Sequence, residues 1–146
     1  VKGDLMKDFL SQFQLHKKGL NSVLGDLESV IMALIWEKGP LTVREVHAKL
    51  ASQRDIAYTT VMTVMSRLAE KGLLAKAKEG NAFRYKPTAS EEEFNHATRG
   101  KIIDALLGAF GAPVISQFVE SIGREHPEKM EELAQLVEEK RRNGDA

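Results

Sequence analysis

The chain has 146 residues and a 42% apolar content, enough for one ordinary domain or two small ones with a real core. It holds no cysteine, which excludes disulfides, thiolate metal sites and cysteine nucleophiles, and no apolar run approaches the roughly 20 residues of a membrane span. The net charge is zero but unevenly spread: residues 1–20 hold four Lys against two acids (+2), residues 21–87 ten Lys/Arg against seven (+3), and residues 88–146 seven against twelve (−5). A basic front and an acidic back suggest two jobs, and a basic face is the usual footprint for a polyanion.

In residues 1–23, Leu5, Met6, Phe9, Leu10 and Phe13 follow helical spacing, and the segment is an N-terminal extension of unknown role. It lacks the basic-then-apolar layout of a signal peptide, so a cytoplasmic protein is expected. Residues 26–38 read as a helix, with Leu27, Val30, Ile31, Leu34 and Ile35 on its apolar face, Asp26 as N-cap and Gly39-Pro40 as its stop. A second helix begins at Thr42, with Glu45 at the capping-box spacing and Val43, Val46 and Leu50 as its apolar side. A third runs through "YTTVMTVMSRLAE" with Asp55 or Ala57 as its N-cap and Lys71-Gly72 as its end. At about 100° per residue its core face is Val61, Val64, Met65 and Leu68, and Thr59, Thr63, Ser66, Arg67 and Glu70 point away.

After Gly72 two short β-type runs flank the turn Glu79-Gly80-Asn81. Lys76, Lys78, Arg84 and Lys86 alternate with small or aromatic residues there, and Pro87 closes the unit. Three helices and a basic hairpin make a winged-helix pattern. From Ser90 the chain is helical again, broken at Gly111-Ala112-Pro113 and His126-Pro127. The apolar residues Ile102, Ile103, Leu106, Leu107, Phe110, Ile115, Phe118, Val119, Leu133, Leu136 and Val137 are too one-sided to be buried by these helices alone. A second copy of the chain is the economical cover. The expected architecture is thus mainly α: a winged helix-turn-helix domain over 24–88 with a β-hairpin wing, and a three-helix dimerisation domain over 89–146.

Threonine is a mediocre helix former, so its clustering at the start of the third helix asks for a reason. Short polar side chains let a helix backbone approach base edges in the major groove, and a threonine offers a hydroxyl together with a methyl. Tyr58, Thr59, Thr60 and Thr63 are therefore candidate base contacts, and Arg67, Lys76, Lys78 and Arg84 candidate phosphate contacts, with Thr42 and Arg44 completing the set. Exposed threonines can also be plain surface, and lysines on a hairpin can simply guard its edge.

"LGDLESVIMALIWEKGPLTVREVHAKL", "AYTTVMTVMSRLAEKGLL" and "FRYKP" resemble the BlaI/MecI family of bacterial repressors, over roughly residues 24–143. The "AYTTVMT" version is most similar to actinobacterial members. The resemblance implies a homodimer on an inverted-repeat operator of TACA/TGTA type, controlling β-lactam resistance or cell-wall stress genes. It also implies a membrane sensor protease that cuts an Asn–Phe bond in the C-terminal domain; the aligned bond here is Gln117–Phe118, with Gln for Asn and Pro113 just upstream. Copper-sensing relatives carry a C-terminal cysteine cluster that this chain lacks.

Little points to an enzyme or a cofactor. HExxH, P-loop, GxGxxG and G-x-S-x-G signatures are absent, and His16, His47, His96 and His126 lack ligand spacing. Glu92, Glu93 and His96 share a helical face but read as a solvated first turn, and Trp36 and Phe83 read as core or wing anchors. Two other functions stay open: a winged-helix regulator that senses a small ligand, and a winged-helix module that binds protein.

Overall fold

The structure, a computed structural model, describes Met6 and residues 24–144. The apolar spacing of residues 5–13 lies outside that range except at Met6. Helix α1 spans Asp26–Lys38 and its N-cap is Gly25, not Asp26 as the sequence suggests. The Gly25 N–H donates to Glu28 Oε1 at 3.1 Å, and Ser29 Oγ donates to the Gly25 carbonyl at 3.0 Å. Glu28 thus closes the cap, and Asp26 falls in the first turn, where its charge suits the helix dipole. Gly39, at φ 90°, ends the helix by donating its N–H to the Ile35 carbonyl at 2.9 Å.

Leu41–Thr42 then form a short strand, β1, before α2, which spans Val43–Ala51. Thr42 caps α2 by accepting from the Glu45 N–H at 3.2 Å. Helix α3 spans Tyr58–Glu70; of the two candidate N-caps it uses Ala57, so no side chain caps it. Gly72, at φ 82°, turns the chain into β2 (Leu74–Glu79), which pairs with β3 (Ala82–Pro87) across Gly80-Asn81. The sheet is antiparallel in the order β1-β3-β2, with Leu41 opposite Tyr85 and Thr42 opposite Arg84. The hairpin is therefore two strands of three. A two-residue strand is too short to show alternation in sequence.

The core lies where α1, α2 and α3 meet this sheet. Ile31, Met32, Ile35, Val46, Val61, Met65 and Leu68 are fully buried, with Leu41, Leu50, Leu74 and Tyr85 around them. Met32 joins the core unannounced, whereas Leu27, Val30, Leu34 and Val64 are half-buried at its margin. Trp36 donates its Nε1–H to the Ala89 carbonyl at 2.9 Å and packs on Phe94 with ring centroids 5.6 Å apart. That contact fixes the start of α4, which spans Glu91–Phe110. Ser90 and Glu93 form a complete capping box there, at 3.1 and 3.2 Å.

The chain divides into two compact units after Gly100. The second holds the rest of α4, α5 (Pro113–Glu125), a 3-10 turn (Pro127–Lys129) and α6 (Met130–Arg142). No described residue of this unit is buried; Ile102, Val114, Ile122 and Leu133 are only partly covered. Among the described residues no helix is long and apolar enough to cross a membrane.

One ion pair closes the first unit at its base: Lys71 Nζ donates to Glu28 Oε2 at 2.7 Å. This ammonium holds the Glu28 carboxyl below its ordinary value of 4.5; partial burial opposes the shift and the Gly25 N–H reinforces it. A depressed carboxyl adds stability above its unfolded pKa and loses it as pH falls through the folded one. Glu28→Gln should therefore cost about 0.5 kcal/mol at pH 7, a value discounted because Lys71 is half exposed, and the difference should shrink as acid below the ordinary carboxyl value of 4.5 protonates Glu28. Urea unfolding at pH 7 and in acid checks this, and an equal difference under both conditions would contradict it.

Candidate nucleic-acid interface

Burial of Val61, Met65 and Leu68 dictates which sides of α3 remain outside. One outer side carries Thr59, Thr60 and Thr63, all exposed. The Thr63 hydroxyl donates to the Thr59 carbonyl one turn back at 2.9 Å, which leaves its lone pairs and methyl outward. Tyr58, Met62 and Ser66, four residues apart in turn, form the side that faces the wing. His47 steadies the entry to α3. Its Nε2–H donates to the Ile56 carbonyl at 2.9 Å, and its ring meets Tyr58 edge-on at 5.7 Å. A carbonyl can only accept, so the proton is on Nε2.

Between α3 and the wing runs an open cleft of about 730 Å³, lined by residues of α2, α3 and the hairpin. Arg44, in the first turn of α2, is exposed at it. Lys76 lies across it, its ammonium 4.7 Å above the Phe83 ring. Lys78 is exposed further along β2, and Arg67 is exposed in the last turn of α3, where its charge also favours the Glu28 carboxylate. Arg44, Lys76 and Lys78 have no carboxylate within salt-bridge distance among the described residues.

Two expected contacts already have protein partners. The Thr42 hydroxyl oxygen accepts from the Glu45 N–H as the α2 cap, and its own O–H remains a donor. Arg84, expected at a phosphate, is enclosed by protein oxygens. Its Nη2 and Nη1 pair with Glu45 Oε1 and Oε2 at 3.1 and 3.2 Å, its Nε donates to Glu79 Oε2 at 2.8 Å, and Nη1 also reaches the Pro40 carbonyl at 3.0 Å. Glu45, above all, and then Glu79 raise the guanidinium's pKa further, and Arg84 in turn holds the Glu45 carboxyl low. This use of the Glu45 carboxylate also leaves the α2 capping box half made. Arg84 is a brace from the wing to α2. Alternating charge along β3 could reveal that Arg84 is polar, but not which oxygens it meets.

Met62, Ser66, Asn81, Phe83 and His47 were not among the expected contacts. The i, i+4, i+8 series Tyr58-Met62-Ser66 is the signal that could have found the first two. Among the described residues no group of three His, Asp or Glu could hold a metal ion.

If the brace orients the wing, Glu45→Gln and Arg84→Gln should weaken DNA binding by similar amounts, roughly threefold to tenfold. The double variant should lose little more than either single one, as expected of partners in one contact. Fluorescence anisotropy on a common duplex measures all three. Tighter binding by Glu45→Gln would show instead that Arg84 reaches phosphate once released.

A penicillinase repressor family model matches residues 24–139. The chain is 39% identical over 119 residues to the transcriptional regulator BlaI of Mycobacterium tuberculosis H37Rv, covering 77% of this chain and 84% of that protein. It is 26% identical over 116 residues to the penicillinase repressor of Bacillus licheniformis, covering 80% and 90%. The solution structure of the DNA binding domain of the repressor BlaI is similar to 49% of this chain and 87% of its own, with 31% identity and a TM-score of 0.45. The outward threonines, the braced wing and this match over most of the length belong together: the chain is a member of the penicillinase repressor family.

Proposed function

We propose that the chain represses transcription as a homodimer, each copy placing α3 in the major groove of one half of an inverted-repeat operator of TACA/TGTA type. Residues 24–88 are the DNA-binding domain and 89–146 the dimerisation domain. The protein is a cytoplasmic DNA-binding regulator and not an enzyme. The observation that carries this reading is α3 itself, which buries Val61, Met65 and Leu68 completely and turns a short polar N-terminal face outward beside a basic wing. Thr59, Thr60, Thr63 and Tyr58 read bases, while Arg44, Arg67, Lys76 and Lys78 hold phosphates.

The second unit supports the dimer. Ile103, Leu106, Leu107, Phe110, Ile115, Phe118, Val119, Leu136 and Val137 are all exposed there, and no described residue of that unit is buried. Burying such a side chain is worth about 1.5–3 kcal/mol, so a second copy of the same face supplies the missing core. Control of β-lactam resistance or cell-wall stress genes fits this reading. Release follows from cutting Gln117–Phe118 by a membrane sensor protease. That bond lies inside α5, so α5 must unwind locally before it can be cut.

Anisotropy on a TACA/TGTA inverted repeat against a scrambled duplex, at two salt concentrations, tests the reading. Repeat-specific, salt-sensitive binding of two chains per duplex is expected; equal binding of both duplexes would withdraw the operator. Thr59→Ala or Thr63→Ala should reduce discrimination by about 1–3 kcal/mol, and an unchanged specific-to-scrambled ratio would remove both from base reading. Phe110→Asp should sediment as a monomer; a dimer of unchanged affinity would remove this face from assembly.

A further inference from the structure

We infer that the cleft between α3 and the wing seats one sugar–phosphate strand of the duplex, with Met62 and Phe83 as an apolar floor against its deoxyribose rings. This rests on the DNA-binding reading above. A helix in the major groove and a hairpin over the neighbouring minor groove have one strand of the duplex running between them. In this fold the space between them is the cleft of about 730 Å³.

Its lining differs from that of a phosphate channel. Met62 and Phe83 are each 42% exposed, large apolar surfaces left open beside Arg44, Lys76 and Lys78. Phosphates gain nothing from these two side chains, whereas the carbon faces of a sugar do. The charge of the cleft fits the same occupant. Arg44 and Lys76 stand at it without carboxylate partners among the described residues, and the acid that lines it, Glu79, is held by Arg84 at 2.8 Å. The Lys76 ammonium above the Phe83 ring sets a cation directly beside an apolar plate, the pairing that a phosphate joined to a sugar requires.

A deoxyribose presents only C–H at its 2′ position. A 2′-hydroxyl pressed onto Met62 or Phe83 would lose its water without gaining a partner. The floor therefore selects deoxyribose over ribose at a few positions of one strand in each half-site, and Met62 is a specificity-determining residue.

The test uses the full chain and the duplex that it enriches from a randomised DNA pool. Single ribonucleotides are then placed in turn along each strand, and affinity is measured by competition. A short window in each half-site should show about tenfold weaker binding, the loss expected for an unpaired buried hydroxyl. Met62→Ala keeps a good helix former at an exposed site, so the fold is retained, and it should reduce that penalty to twofold or less. A flat profile in the wild-type protein would overturn the inference while leaving DNA binding intact. So would a window that Met62→Ala leaves unchanged. If Met62→Ala instead alters the response to deoxyuridine in place of thymine, Met62 reads a base methyl and the sugar floor is wrong. Failure to enrich any duplex would remove the DNA-binding reading itself.

Discussion

The proposed DNA-facing surface depends on how α3 is locked against the core. Val61, Met65 and Leu68 are fully buried, and each is worth about 1.5–3 kcal/mol in that position. Rotating the helix by even one residue position, about 100°, would expose all three. Their packing thus determines at once that Thr59 and Thr63 face outward and that Tyr58, Met62 and Ser66 face the wing. The upstream loop is held by the His47 hydrogen bond to the Ile56 carbonyl, and the first turn has no side-chain cap.

The wing is positioned by a different kind of force. Arg84 links β3 to α2 through Glu45, to the end of β2 through Glu79, and to the turn after α1 through the Pro40 carbonyl. A paired hairpin two strands wide is a weak structure in isolation. Pairing of β3 with β1 and the guanidinium bridge tie it to the helical body. One consequence is electrostatic: Arg84 has its charge balanced within the fold, whereas Arg44, Lys76 and Lys78 have no carboxylate partner among the described residues and are the cations proposed to meet the polyanion.

Much of this was legible in the sequence, for identifiable reasons. Strong local signals marked most of the elements: Thr42 and Ser90 as caps, glycines after α1, α3 and α4, and helical spacing in α3. The failures came where tertiary contacts outrank local rules. Asp26 looked like an N-cap until Glu28 closed the turn through Gly25. Glu45 has capping-box spacing, yet a guanidinium 39 positions along the chain claims its carboxylate. Strand β1 is too short for any period, and Met62 looks like one more apolar residue of a helix whose core face is already full. Leu27, Val30 and Leu34 matched the helical period but sit at the margin, because the sheet and α3 cover α1 from the side of Met32. The C-terminal helices were legible in a negative sense, as apolar faces with too little protein beneath them.

The central claim is that the exposed faces of α3 and the wing, and no other surface of the first unit, receive DNA. Backbone amide chemical-shift mapping by NMR, on the full chain with and without an enriched duplex, tests it most directly. The account predicts the largest changes at Tyr58 to Arg67, at Arg44, and along Lys76 to Phe83, with Ile31, Met32 and Ile35 in α1 nearly unmoved. Changes centred on the outer side of α1, with α3 and the hairpin silent, would contradict it.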